Sequence, residues 1–318
     1  MKAKHEFFQN IKDLPKEERL TPGSPLCAGC GGLGSLRLML NALEKPAVVV
    51  NAAGCLTLLA VYPYTPLKLS WLYTTMGSAA AGGQGIRDAL DVLMAKGRLP
   101  VTEDLEVVVV GGDGSTYDMG LSSLSGAIHR DLDFYYLCYD NEAYGNTGFQ
   151  MSSGSPLGSQ TATSHSHPNR LAGTLQRKKD IFSIWQAHRP PYVASISTAE
   201  PVDLADKVRR ASQHRGPKLF TAYATCPTGW GFDPSQGHYV AKMALETGVW
   251  PLKEAVNGKT RHTYVPARRK PVEEYLKTQG RFQHLFRPER QEEVLQRIQS
   301  DVEGYWEEVA QAEFVPSR

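Results

Sequence analysis

The sequence predicts an α/β protein with a mostly parallel sheet flanked by helices. Short β-branched or aromatic runs, each of strand length, occur at 47–51, 106–110, 134–139, 192–197 and 219–224. Segments with apolar residues at helical spacing lie between them. Strands that are apolar throughout and alternate with helices are typical of a parallel sheet with right-handed crossovers. Ligands of such sheets bind at the carboxyl ends of the strands.

The helices are expected between and after these strands. They are predicted at 33–44, 78–97, 119–130, 202–214 and 288–312. The second ends at Lys96-Gly97, a helix C-cap signal. Residues 152–169 are rich in Ser, Thr and Gly and show little periodicity. They are interpreted either as a mobile surface loop or as a lid, because long loops within a compact domain are often lids.

Composition excludes several classes of protein but does not indicate a reaction. The 318 residues are 41% hydrophobic and 21% charged, with a net charge of +2, which excludes disordered, collagen-like and disulfide-scaffold chains. This charge gives no reason to expect nucleic acid or a membrane surface as a partner. The charged N-terminus lacks the apolar core of a secretory signal, and no apolar stretch is long enough to span a membrane. We therefore expect a cytoplasmic protein.

Three regions differ in sequence character. Residues 1–22 are predicted to be a polar N-terminal arm that ends at a Thr-Pro-Gly turn signal. Residues 23–245 contain the alternating strands and helices and are predicted to form the main domain. Residues 246–318 begin with a basic, proline-containing stretch and end in an amphipathic helix. We expect them to be a C-terminal extension that contacts another subunit.

The cysteines have the spacing of a metal or iron–sulfur site. Cys27 and Cys30 form a CxxC motif, and Cys55 and Cys226 follow in loops at a turn or strand end. Small neighbouring residues leave space and expose backbone N–H groups, which suits a [4Fe–4S] cluster. From spacing alone, zinc is an equal alternative, and a redox dithiol fits less well. Cys138 lies inside a strand and is predicted to be a core thiol.

A second motif indicates a site for a metal-bound diphosphate. Gly112-Asp113-Gly114 follows one strand, and Asp140-Asn141 ends the next. One βαβ step can place Asp113 and Asn141 at neighbouring strand ends, where their oxygens would suit Mg²⁺. The glycines would let a diphosphate approach the backbone, and the following helix N-terminus would favour its charge. The alternative is a simple turn with Asp113 as an N-cap.

Together these motifs resemble the β subunit of the 2-oxoacid:ferredoxin oxidoreductases, which binds thiamine diphosphate. The resemblance runs from about Leu20 to about Leu285. In the family's order it is carried by LCAGCGG, NAAGC, GDGSTYDMG, YDNEAYGNTG, RKKD, CPTGWGFDPS, ETGVWPLKE and KPVEEYLKTQGRFQHL. It implies the thiamine-diphosphate-binding fold and a [4Fe–4S] cluster. It also implies oxidative decarboxylation of a 2-oxoacid, with electrons passed through the cluster to ferredoxin and, in most members, formation of an acyl-CoA.

The resemblance assigns roles to individual residues by motif. The cluster ligands would be Cys27, Cys30, Cys55 and Cys226. The Mg²⁺ ligands would be Asp113, Asn141 and the carbonyl oxygen of Ala143. The diphosphate would be lined by Gly112, Gly114 and Ser115. Asn146 would be the catalytic residue that faces the thiazolium ring and the substrate, and the side chain of Glu142 would point away from the metal.

The resemblance also implies partners. An α subunit would complete the thiamine site with the carboxylate that activates the aminopyrimidine, so this chain alone would be inactive. Ferredoxin-like or γ subunits, ferredoxin as the electron acceptor, and coenzyme A would complete the system. The run from Arg177 to Lys179 is predicted to be a solvated face.

Several functional alternatives are open. Pyruvate is the expected substrate, with oxalate or a branched-chain or aryl 2-oxoacid as alternatives. For a larger substrate, Met76, Phe149 and Met151 could line the pocket. A non-oxidative thiamine-dependent decarboxylase and a zinc-stapled assembly protein are the other classes considered.

Overall fold

The computed structural model describes residues 5–99, 104–167 and 173–313. Eight strands form one sheet, in the order β2-β1-β3-β4-β6-β5-β7-β8. They are β1 (Ala47–Ala52), β2 (Ser70–Thr74), β3 (Glu106–Gly112), β4 (Phe134–Asp140), β5 (Tyr192–Ser197), β6 (Pro217–Tyr223), β7 (Leu252–Val256) and β8 (Lys259–Tyr264). The first six strands pair in parallel, whereas β7 and β8 pair antiparallel. The predicted mostly parallel sheet is confirmed.

Helices connect the strands and cover the sheet. They are α1 (Gly31–Ala42), α2 (Ala79–Ala95), α3 (Leu121–His129), α4 (Ile181–Ala187), α5 (Pro201–Ala211), α6 (Pro227–Trp230), α7 (Gly237–Glu246), α8 (Val272–Leu276) and α9 (Glu292–Glu313). The five predicted helices correspond to α1, α2, α3, α5 and α9. Of the helices in the described ranges, none combines the length and the apolar character needed to cross a membrane.

The four consecutive valines of β3 show why this strand is apolar throughout. Val108 and Val110 pack into the core beneath α1 and α5, whereas Val107 and Val109 pack into the core beneath α2, α3 and α4. Successive side chains of a strand point to opposite faces, so a sheet covered on both faces needs apolar residues at every position. All four valines have no exposed surface.

Three strands were not predicted. β2 forms one edge of the sheet, and its side chains are largely exposed, so it lacks the apolar run of a buried strand. β7 and β8 form a hairpin at the other edge, joined through Asn257 and Gly258. Both turn residues have positive φ, 48° and 80° respectively. Asn-Gly between alternating residues is a hairpin signal that the sequence does contain.

Residues 246–318 supply the last two strands of this sheet. Their apolar side chains also share a core with the preceding helix, since Val240 and Leu245 belong to the same cluster as Leu252, Tyr275 and Leu295. The predicted boundary after residue 245 therefore falls within a continuous core. Contact between this region and another subunit stays a prediction.

The N-terminal arm is attached to the main domain. The backbone N–H groups of Glu6 and Phe7 donate to Asp206 Oδ1 at 3.0 and 2.6 Å. Phe8 and Leu20 are buried in the core beneath α1 and α5. The described part of the arm is therefore held by backbone hydrogen bonds and by two apolar side chains.

Candidate active site

The sheet brings Asp113 and Asn141 together at the carboxyl ends of two neighbouring strands. β3 and β4 are parallel neighbours with Gly112 opposite Tyr139, so their carboxyl ends lie side by side. Asp113 directly follows β3, and Asn141 directly follows β4. One βαβ step therefore places the two side chains where the sequence predicted them to be.

Three oxygen atoms converge at this point. The Asn141 amide is oriented with its nitrogen toward Cys55 Sγ, at 3.9 Å. Its oxygen then lies 2.7 Å from both the Ala143 carbonyl oxygen and Asp113 Oδ1. Oxygens this close repel unless a hydrogen or a cation lies between them. Rotating the amide would give two hydrogen bonds, and a hard divalent cation would instead use all three oxygens as ligands. The donor set fits Mg²⁺.

Asp113 is fully buried and does not cap a helix. Its carboxylate makes no capping hydrogen bond to the turn that follows, so the simple N-cap alternative is wrong. It accepts a hydrogen bond from Ser152 Oγ. Burial and the nearby charge of Asp140 raise the pKa of Asp113 well above its ordinary value. A bound cation would favour the ionised carboxylate.

A small cavity of about 160 Å³ opens beside these oxygens. Its lining includes the predicted diphosphate contacts Gly112, Gly114 and Ser115 and the predicted thiazolium contact Asn146. Of the predicted Mg²⁺ ligands, Asn141 and Ala143 also line it and Asp113 does not. A Cβ on Gly114 would overlap the Tyr144 ring, and one on Gly54 would overlap Tyr139 Oη. A larger residue at either position would force a tyrosine of the cavity wall to move, so both glycines keep the wall as it is.

All four predicted cluster ligands line the same cavity, a second one of about 400 Å³. Cys30 precedes α1, Cys55 begins a short 3-10 turn after β1, and Cys226 precedes α6. Cys27 is exposed in the loop before α1. The tertiary structure therefore brings Cys226 to the same cavity as three cysteines near the N-terminus.

The sulfur environment is apolar, with some backbone donors. Burial raises the pKa of Cys30, Cys55 and Cys226, that of Cys55 to about 12. Gly229 N–H donates to Cys226 Sγ at 3.3 Å, and the backbone N–H groups of Gly32 and Leu33 lower the pKa of Cys30. Thiolates here need nearby positive charge, which metal ions supply.

In the part of the chain that the structure describes, the cysteines are not grouped tightly around the position of one ion. Among residues 5–99, 104–167 and 173–313, no three His, Cys, Asp or Glu side chains are grouped so that they could hold one metal ion. A tetrahedral zinc site needs its sulfurs at about 2.3 Å from one ion. The thiols instead surround a cavity, which suits a larger multi-atom group.

The two cavities share a wall. Cys55, Tyr139, Asn141, Gly145 and Asn146 line both of them. A Cβ on Gly145 would lie 2.5 Å from Asn141 Nδ2 and 3.2 Å from Cys55 Sγ, so this wall has no room for a larger residue. Asn146 is exposed where the cavities meet.

The Ser/Thr-rich segment packs against Asp113 and the loop after β4. Ser152 and Ser155 are buried, and Ser155 Oγ donates to Glu142 O at 2.7 Å. The interpretation of 152–169 as a mobile surface loop is therefore wrong for these residues, because their side chains hydrogen-bond to Asp113 and to the loop after β4. The last two residues of the segment lie outside the described ranges.

The prediction that the run from Arg177 to Lys179 is a solvated face is wrong at Lys178. Lys178 Nζ lies 2.6 Å from Asp140 Oδ2 and 2.9 Å from Glu142 Oε1. Glu142, expected to point away from the metal, also pairs with Arg281 Nη2 at 2.5 Å. Burial would raise the pKa of Glu142, but the charges of Lys178 and Arg281 outweigh it and lower that pKa.

Sequence reasoning missed the supporting residues Ser152, Tyr139 and Arg281. Arg281 lies in the KPVEEYLKTQGRFQHL motif that helped to establish the resemblance, and this was its one signal.

Of the side chains considered for substrate size, Met76 lines the first cavity and Phe149 the second. Met151 is not among the residues that line either cavity.

Comparison with known proteins agrees with this geometry. Residues 52–222 match the family model described as thiamine pyrophosphate enzyme, C-terminal TPP binding domain. This range contains the converging oxygens and the first cavity. The chain is therefore a thiamine diphosphate-binding enzyme subunit.

Full-length relatives narrow this class. The chain is 43% identical over 297 residues to pyruvate synthase subunit PorB of Methanothermobacter thermautotrophicus, covering 93% of this chain and 99% of that one. It is 36% identical over 315 residues to the PorB of Thermotoga maritima, covering 96% and 97%. It is also 36% identical over 299 residues to ketoisovalerate oxidoreductase subunit VorB of Pyrococcus horikoshii, covering 92% and 93%. The chain belongs to the β subunits of the 2-oxoacid:ferredoxin oxidoreductase family.

A solved structure has the same fold. It is a 2-oxoglutarate:ferredoxin oxidoreductase from Magnetococcus marinus with 2-oxoglutarate, coenzyme A and succinyl-CoA bound. It aligns with a TM-score of 0.55 and 21% identity, covering 71% of this chain and 72% of that one.

Proposed function

We propose that this subunit carries Mg²⁺-bound thiamine diphosphate beside one [4Fe–4S] cluster and acts on pyruvate. The observation that carries the proposal is the shared wall between the two cavities. Cys55 and Asn141, one from each ligand set, are in contact across it. Two cofactors held on either side of this wall would be adjacent, as electron transfer between them requires.

The proposed Mg²⁺ ligands are Asp113 Oδ1, Asn141 Oδ1 and Ala143 O, with diphosphate oxygens completing the octahedron. Their support is the convergence of three oxygens, of which Ala143 O and Asp113 Oδ1 each lie 2.7 Å from the side-chain oxygen of Asn141. Gly112, Gly114 and Ser115 would line the diphosphate, because all three lie in the wall of the first cavity.

The proposed cluster ligands are Cys27, Cys30, Cys55 and Cys226. Their shared cavity of about 400 Å³ favours a cluster over the zinc alternative. A cluster also counts against the non-oxidative decarboxylase, which has no electrons to remove. Trp230 is fully buried behind Cys226 and would limit the access of solvent to the cluster, which tunes its potential.

When bound, thiamine diphosphate supplies a carbanion for attack on the 2-oxo carbon and an electron sink for decarboxylation, and the cluster supplies the one-electron acceptor. The protein's contribution is binding and orientation. Asp113 would give the metal one negatively charged ligand, the backbone at Gly112 and Gly114 would receive the diphosphate, and Asn146 presents an amide at the cavity mouth. That amide can hydrogen-bond to the carboxylate or oxo group of a 2-oxoacid and hold it for reaction.

We propose that an α subunit covers the mouth of the first cavity. Tyr62 and Tyr64 are 88% and 73% exposed, and Leu72, Tyr73 and Met119 are also exposed. Tyr73 lines the cavity itself. A group of exposed apolar side chains beside a binding site is typical of a protein interface. The carboxylate that activates the aminopyrimidine would come from this partner, and residues 246–318 would add a further subunit contact.

The substrate, acyl acceptor and electron acceptor are tested together. The complex is purified anaerobically with its partner subunits, and viologen reduction is measured with pyruvate, branched-chain and aryl 2-oxoacids, 2-oxoglutarate and oxalate, with and without coenzyme A. Ferredoxin then replaces the viologen. We expect pyruvate to be the best substrate and the reaction to require coenzyme A. Faster reduction with another acid would overturn the substrate assignment, and no reduction with any would overturn the function.

A further inference from the structure

Arg281 is a buried cation that lies between the two loops of the proposed active site. It is in the 3-10 turn Gly280–Leu285, within the C-terminal part of the chain, and is 4% exposed. Burying a guanidinium group is unfavourable unless its charge is paired and its donors are used. Its contacts therefore indicate what the charge is for.

On one side, Arg281 holds the proposed magnesium loop through Glu142. Glu142 lies between Asn141 and Ala143, and its backbone has a φ of 64°. A non-glycine residue in this left-handed region persists only where its surroundings hold it there. The Glu142 carboxylate is held by Lys178 and Arg281. These two ion pairs fix the residue whose neighbours supply two of the three converging oxygens.

On the other side, Arg281 holds the turn of Cys226. Its guanidinium carbon lies 3.9 Å from the centre of the Trp230 ring. Trp230 ends the helical turn that begins after Cys226, and its Nε1 donates to Asn141 O at 2.9 Å. A cation over an indole face is attracted to it. Arg281 therefore restrains the side chain that connects the cysteine turn to Asn141.

The backbone of Arg281 is fixed as well. Gly280 N–H donates to Gly231 O at 3.0 Å, and Gly231 has a φ of 71°. A Cβ on Gly231 would lie 3.2 Å from Gly280 Cα, so the close approach of the two segments depends on glycine. Gln160 N–H donates to Arg281 O, and Arg281 Nε donates to Gln279 Oε1, both at 2.9 Å. The guanidinium is presented from a rigid turn.

We propose that Arg281 is a positioning residue that holds the magnesium loop and the Cys226 turn in one fixed arrangement. This role rests on the proposed function, since it concerns the ligands of both cofactors. Arginine is suited to it because its planar group can stack on an indole and donate to a carboxylate at the same time. A lysine ammonium could keep the charge but not both contacts.

The test compares Arg281→Lys with the wild type in the complete complex. Two readouts are used, the Mg²⁺ dependence of thiamine diphosphate binding and the electron paramagnetic resonance spectrum and midpoint potential of the reduced cluster. We expect the Mg²⁺ concentration needed for half-maximal thiamine diphosphate binding (the Mg²⁺ requirement) to rise about tenfold or more, as for other residues that orient metal ligands. We expect the cluster spectrum and potential to shift in the same variant.

Arg87→Lys is the matched control. Arg87 is 2% exposed and pairs with Asp91 and Asp104, so it is an equally buried arginine between two carboxylates. It lines neither active-site cavity. We expect this variant to lose thermal stability while the Mg²⁺ dependence and the cluster spectrum stay as in the wild type.

Glu142→Gln tests the contact of Arg281 with the magnesium loop separately from its contact with Trp230. It removes the charge from the magnesium loop but leaves Arg281 over Trp230, so we expect a higher Mg²⁺ requirement with a nearly unchanged cluster spectrum. If Arg281→Lys shifts only one readout, or neither, the proposal is overturned. If Arg281→Lys does not assemble, an unchanged Mg²⁺ requirement in Glu142→Gln overturns it. A wild-type complex that lacks iron or Mg²⁺-dependent thiamine binding refutes the proposed function instead.

Discussion

The sulfur of Cys55 lies 3.9 Å from the side-chain nitrogen of Asn141. Cys55 follows β1 and Asn141 follows β4, and β3 lies between these two strands in the sheet. The contact therefore spans the loops at the carboxyl ends of three strands. It joins the four cysteines to the three converging oxygens. A substitution among the cysteines and one among the oxygen ligands can be told apart, because iron content and thiamine diphosphate binding are measured separately.

Cys55→Ser is expected to lose iron while retaining thiamine diphosphate. One thiolate of four is removed from the shared cavity, whereas the oxygens around Asp113 stay in place. The measurements are iron content, absorbance near 400 nm and bound thiamine in the anaerobic complex. Cys138→Ala is the control, because Cys138 is fully buried in β4 and is expected to keep the full iron content. Equal iron in Cys55→Ser and the wild type would contradict the ligand assignment.

Asp113→Asn is expected to weaken Mg²⁺-dependent thiamine diphosphate binding by more than tenfold. The substitution keeps the shape of the side chain but removes the negative charge among the three oxygens, and a hard cation depends on that charge. Binding is measured by calorimetry at several Mg²⁺ concentrations. Glu44→Gln is the control and should bind as the wild type does. Glu44 is an exposed acidic residue before β1, at the amino ends of the strands and so away from Asp113. Unchanged binding in Asp113→Asn would refute the metal site.

Asn146→Ala is expected to lower kcat by roughly 10²-fold, the usual effect of losing one donor to a developing charge. Thiamine and iron contents should stay unchanged, because Asn146 is exposed at the mouth and is not a proposed ligand of either metal group. Steady-state viologen reduction and cofactor analysis give the two readouts. Thr147→Val is the neighbouring control, since the Thr147 hydroxyl bonds within the turn, to Gln150. A comparable loss in both variants would indicate a turn defect.

His262 is expected to make the C-terminal helix sensitive to acid. Its Nε2 lies 2.7 Å from Tyr305 Oη on α9, and burial, with the charges of Lys253 and Lys207, lowers its pKa to about 4. Because the folded pKa lies below the unfolded value of about 6.5, the unfolded chain takes up the proton first. The stability contributed by neutral His262 is then complete above about pH 6.5 and is lost as the pH falls toward 4.

Thermal melting between pH 7.5 and 4.5 measures this effect. His262→Phe cannot titrate and should show a flatter dependence of melting temperature on pH over this range. Ser300→Ala, an exposed change on the same helix α9 that removes no titratable group, is the control and should follow the wild-type curve. Parallel curves for His262→Phe and the wild type would show that His262 titrates alike in the folded and unfolded chain.

The candidate site was more predictable than the architecture around it. The glycine and asparagine motifs and the CxxC of Cys27 and Cys30 are local in sequence, and the resemblance rests partly on them, whereas Cys226 lies 171 residues after Cys55. Lys178 was misassigned because three consecutive cations are normally solvated, and only its contacts with Asp140 and Glu142 reveal that it is paired. For the segment that contains Ser152, the sequence does not decide between a mobile surface loop and a lid, because small polar residues carry no periodic signal.

The sequence alone predicts the alternation of strands and helices, the mostly parallel sheet and the family, and it proposes the two ligand sets. The alternation of apolar runs with helices and the short motifs depend on neighbouring residues, and such local patterns are readable without a structure. The tertiary structure decided the contact between Cys55 and Asn141, the addition of β7 and β8 to the sheet and the burial of Arg281. Each joins segments far apart in the chain, and packing free energy, not local preference, selects such contacts.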